Sequence, residues 1–141
     1  MLKGIPPILT PELLKVLMEM GHGDELVLAD GNFPKFAHLA NVIRLDGHGI
    51  PEILDAILKF MPLDPYVEHP TILMEVLPND PYKPEIWPRY REIGAKYEKD
   101  GLREIAINKF EFYERAKKAY AVVATSEAAL YANMILKKGV V

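Results

Sequence analysis

Short unbroken apolar runs recur along this chain between longer segments that are apolar on one face only. Leu26-Val27-Leu28-Ala29 and Ala121-Val122-Val123-Ala124 are the clearest. A run of that length without alternating polar residues reads as a strand covered on both faces, the situation of a largely parallel sheet between helical layers. Val42-Ile43-Arg44-Leu45, Thr71 to Val76, Glu104 to Ile107 and Met134-Ile135-Leu136 read as further strands. Between them lie helix signals. Thr10 is an N-cap with Pro11 at the first helical position and Glu12 in the first turn, Leu13, Leu14 and Leu17 form the apolar stripe, and Gly21 stops the helix. A second helix from Pro51 carries Ile53, Leu54, Ile57 and Leu58 on one face. Asn108 with Glu111 forms an Asn variant of the capping box opening a helix through Ala119. From Pro78 to Tyr90 four prolines predict a surface loop leading into a helix that ends near Asp100-Gly101. The expected architecture is one three-layer α/β domain over residues 1–141, with a mainly parallel sheet of about six strands and helices on both faces.

Composition narrows the chemistry. Half of the 141 residues are hydrophobic, enough for one core. A net charge of -3, with Lys and Arg interleaved among Glu and Asp, argues against nucleic acid or an anionic membrane as partner. There is no cysteine, which removes disulfides, thiolate nucleophiles and zinc-thiolate sites. No apolar run approaches a membrane span, and the N-terminus lacks the pattern of a secretory signal, so a cytoplasmic location is expected.

No G-x-G-x-x-G, Walker loop or G-x-S-x-G elbow is present, and Ser126 is the only serine. No cofactor is therefore expected. His22, His38, His48 and His69 show no short ligand spacing, so no catalytic metal is expected either. Phe110, Phe112 and Tyr113 read as core and interface packing.

The candidate chemistry is in Gly21-His22-Gly23-Asp24 and in Asp30 at the end of the next strand, a pairing expected near a sheet edge, where ligands collect in α/β folds. At this level His22 has two readings: a cap on the carbonyls of the preceding helix, or an imidazole that a small molecule can reach. His48, also between glycines, reads as a solvated turn residue.

Several of these segments together resemble a known family. Met1-Leu2-Lys3-Gly4-Ile5, Pro11 to Leu17, Glu19-Met20-Gly21-His22-Gly23-Asp24, Ala29-Asp30 and Asn32-Phe33-Pro34 are similar to the L-fucose mutarotase and D-ribose pyranase family, RbsD/FucU. Phe110 to Ala119, Tyr131-Ala132-Asn133 and Leu136 to Val140 resemble its fucose branch. The resemblance implies a cytoplasmic enzyme without cofactor that interconverts the α and β anomers of a monosaccharide as a ring-shaped homo-oligomer, typically a decamer. It puts the catalytic role on His22 and substrate binding on Asp30, Tyr131, Ala132 and Asn133. Lys109, also expected to bind substrate through a looser hydroxyl contact, stands where the family has Arg or His, which leaves open L-fucose, D-ribose or a relative. A D-ribose pyranase, a non-catalytic monosaccharide-binding protein and a structural ring with a helix-capping His22 are the alternatives. In a ring, the expected division is that one subunit supplies His22 and Asp30 and its neighbour supplies Tyr131 and Asn133, closing the pocket against water.

Overall fold

The computed structural model describes residues 1–34 and 41–141. Helices and strands follow in the order α1 (Pro11–Glu19), β1 (Glu25–Ala29), β2 (Val42–Leu45), α2 (Ile50–Leu58), β3 (Thr71–Met74), α3 (Ile86–Tyr97), β4 (Glu104–Ile107), α4 (Lys109–Lys117), β5 (Ala121–Thr125) and β6 (Met134–Lys137). The strands form one six-stranded sheet in the order β2-β5-β1-β6-β3-β4. β6 runs antiparallel to both β1 and β3, and the remaining pairs are parallel.

Both faces of the central strands are covered, as their apolar runs require. Leu26 and Leu28 of β1 pack with α1, α2 and α3 in one cluster, while Val27 and Ala29 pack with Phe112 and Ala116 of α4 in a second. Leu26, Val27, Leu28 and Ala29 are each at most 1% exposed. Burying a side chain of this size contributes about 1.5–3 kcal/mol, so a polar substitution on either face of β1 is costly.

The helix starts have identifiable causes. Thr10 Oγ1 accepts the Leu13 N–H (3.2 Å) and Asn108 Oδ1 accepts the Glu111 N–H (3.0 Å). Gly49 cannot cap α2 itself, and Glu127 from the β5–β6 connection accepts the Ile50 N–H instead (3.1 Å). The proline-rich segment departs from expectation, because α3 begins at Ile86 with Pro88 in its first turn. The first N–H groups of a helix have no intrahelical partner, so a proline there removes no bond. β3 ends at Met74 rather than Val76, and α4 at Lys117 rather than Ala119. No helix among the described residues is long and apolar enough to cross a membrane.

Candidate active site

Asp30 follows β1 and Asn133 precedes β6, so the antiparallel pairing of these strands places the two side by side. They are bonded reciprocally: the Asp30 N–H donates to Asn133 Oδ1 (2.7 Å) and Asn133 Nδ2 donates to Asp30 Oδ2 (3.1 Å). Asp30 Oδ1 accepts the Asn32 N–H at 2.9 Å. Burial pushes the Asp30 carboxyl above its ordinary value, helped by the charge of Glu127 and opposed by the Asn32, Asn133 and Phe33 bonds.

Tyr131 has a left-handed backbone, φ +58°. Such a conformation costs a bulky residue on the order of 1–3 kcal/mol and has to be held by its surroundings. Trp87 Nε1 donates to the Tyr131 carbonyl (2.8 Å) and the Tyr90 hydroxyl to the Ala132 carbonyl (2.7 Å), both from α3. The Tyr131 hydroxyl donates to Asp80 Oδ2 (2.6 Å), and its ring stacks on Tyr82 with centroids 6.1 Å apart. One face of that ring is therefore already occupied. Ala132 is fully buried and serves as the fixed link between Tyr131 and Asn133.

Asp30, Tyr131 and Asn133 line a cleft of about 230 Å³, together with Asp80, Tyr113 and an apolar wall that includes Met74 and Leu130. Its position, at the carboxyl ends of β1 and β3, is where open α/β sheets bind ligands. Convergent carboxylates, an amide and phenols beside an apolar wall suit a small polyhydroxylated ligand. Lys109 does not line this cleft. It opens α4 one turn before Tyr113, and its Nζ lies 5.4 Å from the centre of the Phe110 ring.

His22 is elsewhere. It sits in the turn before β1, at the opposite end of the strand from Asp30, so the two do not share a sheet edge and the expected pairing is corrected. A side chain fixed ahead of a strand cannot reach a group at the strand's far end. The expected division between subunits is corrected with it, because Asp30 is bonded to Asn133 of its own chain.

Nor does His22 cap α1. Lys138 donates to the Leu17 carbonyl (2.8 Å) and to that of Met20. The His22 turn is stapled to the same segment, by Gly23 N–H to Lys138 O (2.8 Å) and Lys138 N–H to Asp24 O (2.9 Å). Gly23 supplies the positive φ of +86°. The imidazole is thereby left to contact Asp64, with Nε2 3.0 Å from Asp64 Oδ1. Its side chain is 45% exposed and that of Asp64 only 3%. Burial alone would raise the Asp64 carboxyl, but the Tyr66 N–H and His22 outweigh it and hold it below its ordinary value. An ionised carboxylate only accepts, so Nε2 is the nitrogen that donates to Asp64, which makes Nδ1 the acceptor whenever the imidazole is neutral. Arg103 fixes the Asp64 loop, donating to the carbonyls of Asp64 (2.7 Å) and Val67 (2.6 Å).

Among the described residues no group of three or more His, Asp or Glu is placed to hold a metal; His38 lies outside those residues. A larger groove, about 780 Å³, runs between α2, α3 and the N-terminal prolines. There His48 Nδ1 lies 3.4 Å from Glu52, and Asp55 is bonded by Lys96 and Tyr97.

The sequence reading missed Asp64, Asp80, Tyr82 and the cleft-lining role of Tyr113. Asp64 precedes Pro65 after an apolar turn and Asp80 lies among prolines, a setting that signals rigid turns and nothing about their partners.

The fold and these two polar centres define an α/β domain with a cleft for a small ligand and, apart from it, an aspartate-held imidazole. The chain belongs to the RbsD / FucU transport protein family, whose sequence profile matches residues 3–141. It is 53% identical over 144 residues to the fucose mutarotase of Homo sapiens, covering 99% of this chain and 94% of that one. The crystal structure of the fucose mutarotase from Streptococcus pneumoniae in complex with L-fucose superposes with a TM-score of 0.93 at 52% identity, covering 99% of both chains. FucU from Bifidobacterium longum gives a TM-score of 0.94 at 53% identity, again over 99% of both.

Proposed function

We propose that this chain is a sugar mutarotase that interconverts the α and β anomers of L-fucose or a close relative. The observation that carries the reading is the reciprocal Asp30–Asn133 pair in a monosaccharide-sized cleft, in a chain half identical to a protein crystallised with L-fucose. The pair presents a carboxylate and an amide in fixed register, a match for adjacent sugar hydroxyls.

Anomer exchange requires a proton to leave the anomeric hydroxyl and one to reach the ring oxygen as the C1–O5 bond breaks. The open aldehyde then rotates about C1–C2 and recloses on either face. No electrons are transferred, so no redox group is needed. His22 is the acid/base: Nδ1 takes the anomeric proton and returns it to the ring oxygen as C1–O5 breaks, while Asp64 on Nε2 orients the ring and stabilises the transient imidazolium. His22 does not line the cleft of its own chain, which supports its coming from another copy. Its surroundings favour that: Met18 is 83% exposed, and Phe60 and Val140 are exposed beside it, an apolar rim suited to burial against a second copy. The assembly we propose is a homo-oligomeric ring, a decamer in the family pattern, working in the cytoplasm without cofactor or metal. In it one subunit supplies His22 and its neighbour supplies Asp30, Tyr131, Ala132 and Asn133. Lys109, one turn before Tyr113 on α4, is a further candidate sugar contact, with a positive charge but without the planar fork of Arg.

NMR magnetisation transfer between the anomeric protons of L-fucose, D-ribose and related sugars tests this. The reading expects exchange to accelerate in proportion to protein, most strongly for L-fucose. Saturable sugar binding without acceleration would make it a binding protein, and neither effect would make it structural. A preference for D-ribose would place the chain with the pyranases.

A further inference from the structure

The proline-rich segment between β3 and α3 carries no chemistry in sequence, yet it delivers a carboxylate to the cleft. Pro78, Pro81 and Pro84 fix φ along it, and Asp80 lies in its middle. Asp80 Oδ1 accepts the Tyr82 N–H (2.9 Å), closing a local turn, while Oδ2 accepts the Tyr131 hydroxyl (2.6 Å). The Tyr131 oxygen also receives the Leu77 N–H at 3.4 Å. The strained Tyr131 backbone is already held by Trp87 and Tyr90, so the Asp80 bond is not what maintains that turn. What the bond does is direct the phenol.

A phenol has one proton to give. With that proton committed to Asp80, the oxygen can only accept from anything that enters the cleft. We propose that Asp80 is a positioning residue of the anomer-exchange site: it holds the Tyr131 hydroxyl as an acceptor for a sugar hydroxyl, and the prolines of 78–84 are the frame that keeps it there. This rests on the mutarotase reading above. The raised titration of Tyr131, owed first to its bond with Asp80, agrees with the geometry.

The test is a double-mutant cycle on L-fucose exchange with Asp80→Asn and Tyr131→Phe. Asparagine keeps an oxygen for the Tyr82 N–H and turns an NH₂ toward Tyr131, so the phenol reverses from acceptor to donor while the local turn survives. Each single variant is expected to lower kcat/KM on the order of tenfold, the usual size of a hydrogen bond to a charged group, and the double variant no further than either. A second readout needs no activity. The tyrosinate absorbance lost in Tyr131→Phe isolates the Tyr131 titration, which should move down in pH in Asp80→Asn. Losses that multiply, an Asp80→Asn chain as active as wild type, or an unmoved Tyr131 titration would each overturn the proposal. A wild-type chain that exchanges no sugar would instead remove the mutarotase reading, and the proposal with it.

Discussion

His22 and Asp30 stand at opposite ends of the same strand, one in the turn before β1 and the other directly after it. Five residues of extended chain separate their elements by about 16 Å, and the strand is locked in the sheet centre between β5 and β6. No side-chain rotation brings the imidazole to the Asp30 carboxylate. The chain thus carries two polar centres at opposite ends of β1, and the proposed reading requires two copies to make one whole site.

At the His22 half, His22→Gln should fold normally and lose about 10²–10⁴-fold in exchange rate, because glutamine hydrogen-bonds without titrating. Asp64→Asn should lose a smaller factor, about tenfold, by weakening the imidazolium it now stabilises. The Asp64 carboxyl is held below 3.8 in the folded state. Its stabilising effect is therefore present above that pH and is lost as the pH falls through the lower folded value. Acid unfolding followed by circular dichroism should be steeper below about pH 4 in wild type than in Asp64→Asn. Equal acid sensitivity of the two would contradict the pairing.

Asp30 behaves in the opposite sense. Its folded-state carboxyl is raised above 3.8, burial being the main cause, so ionisation disfavours the folded chain and stability is gained as the pH falls through the raised value toward 3.8. Asp30→Asn should consequently raise Tm at neutral pH, with the difference shrinking in acid, while sugar binding weakens. Thermal melts at two pH values together with a sugar titration read both effects. A lowered Tm at neutral pH would show that the charged form is the stabilised one.

The C-terminal segment is expected to matter to the His22 half because it holds both of its supports. Lys138→Met removes the donor to the Leu17 and Met20 carbonyls and should cost about 1.5–3 kcal/mol, the usual range for hydrogen bonds to a charged group. Gly139→Ala would place a Cβ 2.4 Å from the Leu63 carbonyl oxygen, forcing the segment away from the loop that carries Asp64. Urea titrations should show both losses, with the alanine variant also losing exchange activity. Full stability and activity in Gly139→Ala would mean that the Leu63 contact yields without disturbing Asp64.

The fold was largely legible in the sequence because its determinants are local. The unbroken run at Leu26–Ala29 demands cover on both faces, and Thr10 and Asn108 cap the helices they precede. The start of α3 was obscured because Pro88 reads as a loop signal while being harmless in a first turn. Asp30 stands out by its place after a strand, and Tyr131 and Asn133 only by the family resemblance, while their grouping depends on β1 pairing with β6 across about a hundred residues, which no local pattern encodes. Asp64 and Asp80 escaped for the same reason: each is an ordinary turn aspartate until the sheet brings its partner beside it.

The claim that the site is built from two chains is tested most directly by complementation. His22→Gln and Asn133→Ala damage different half-sites, so each homo-oligomer should be nearly inactive. Refolded together in equal amounts, they should form mixed rings in which roughly a quarter of the pockets pair an intact His22 with an intact Asn133, since each half is drawn independently. The account predicts L-fucose exchange restored to roughly that fraction of the wild-type rate. Mixed rings verified by native mass spectrometry that exchange no faster than either parent would contradict it.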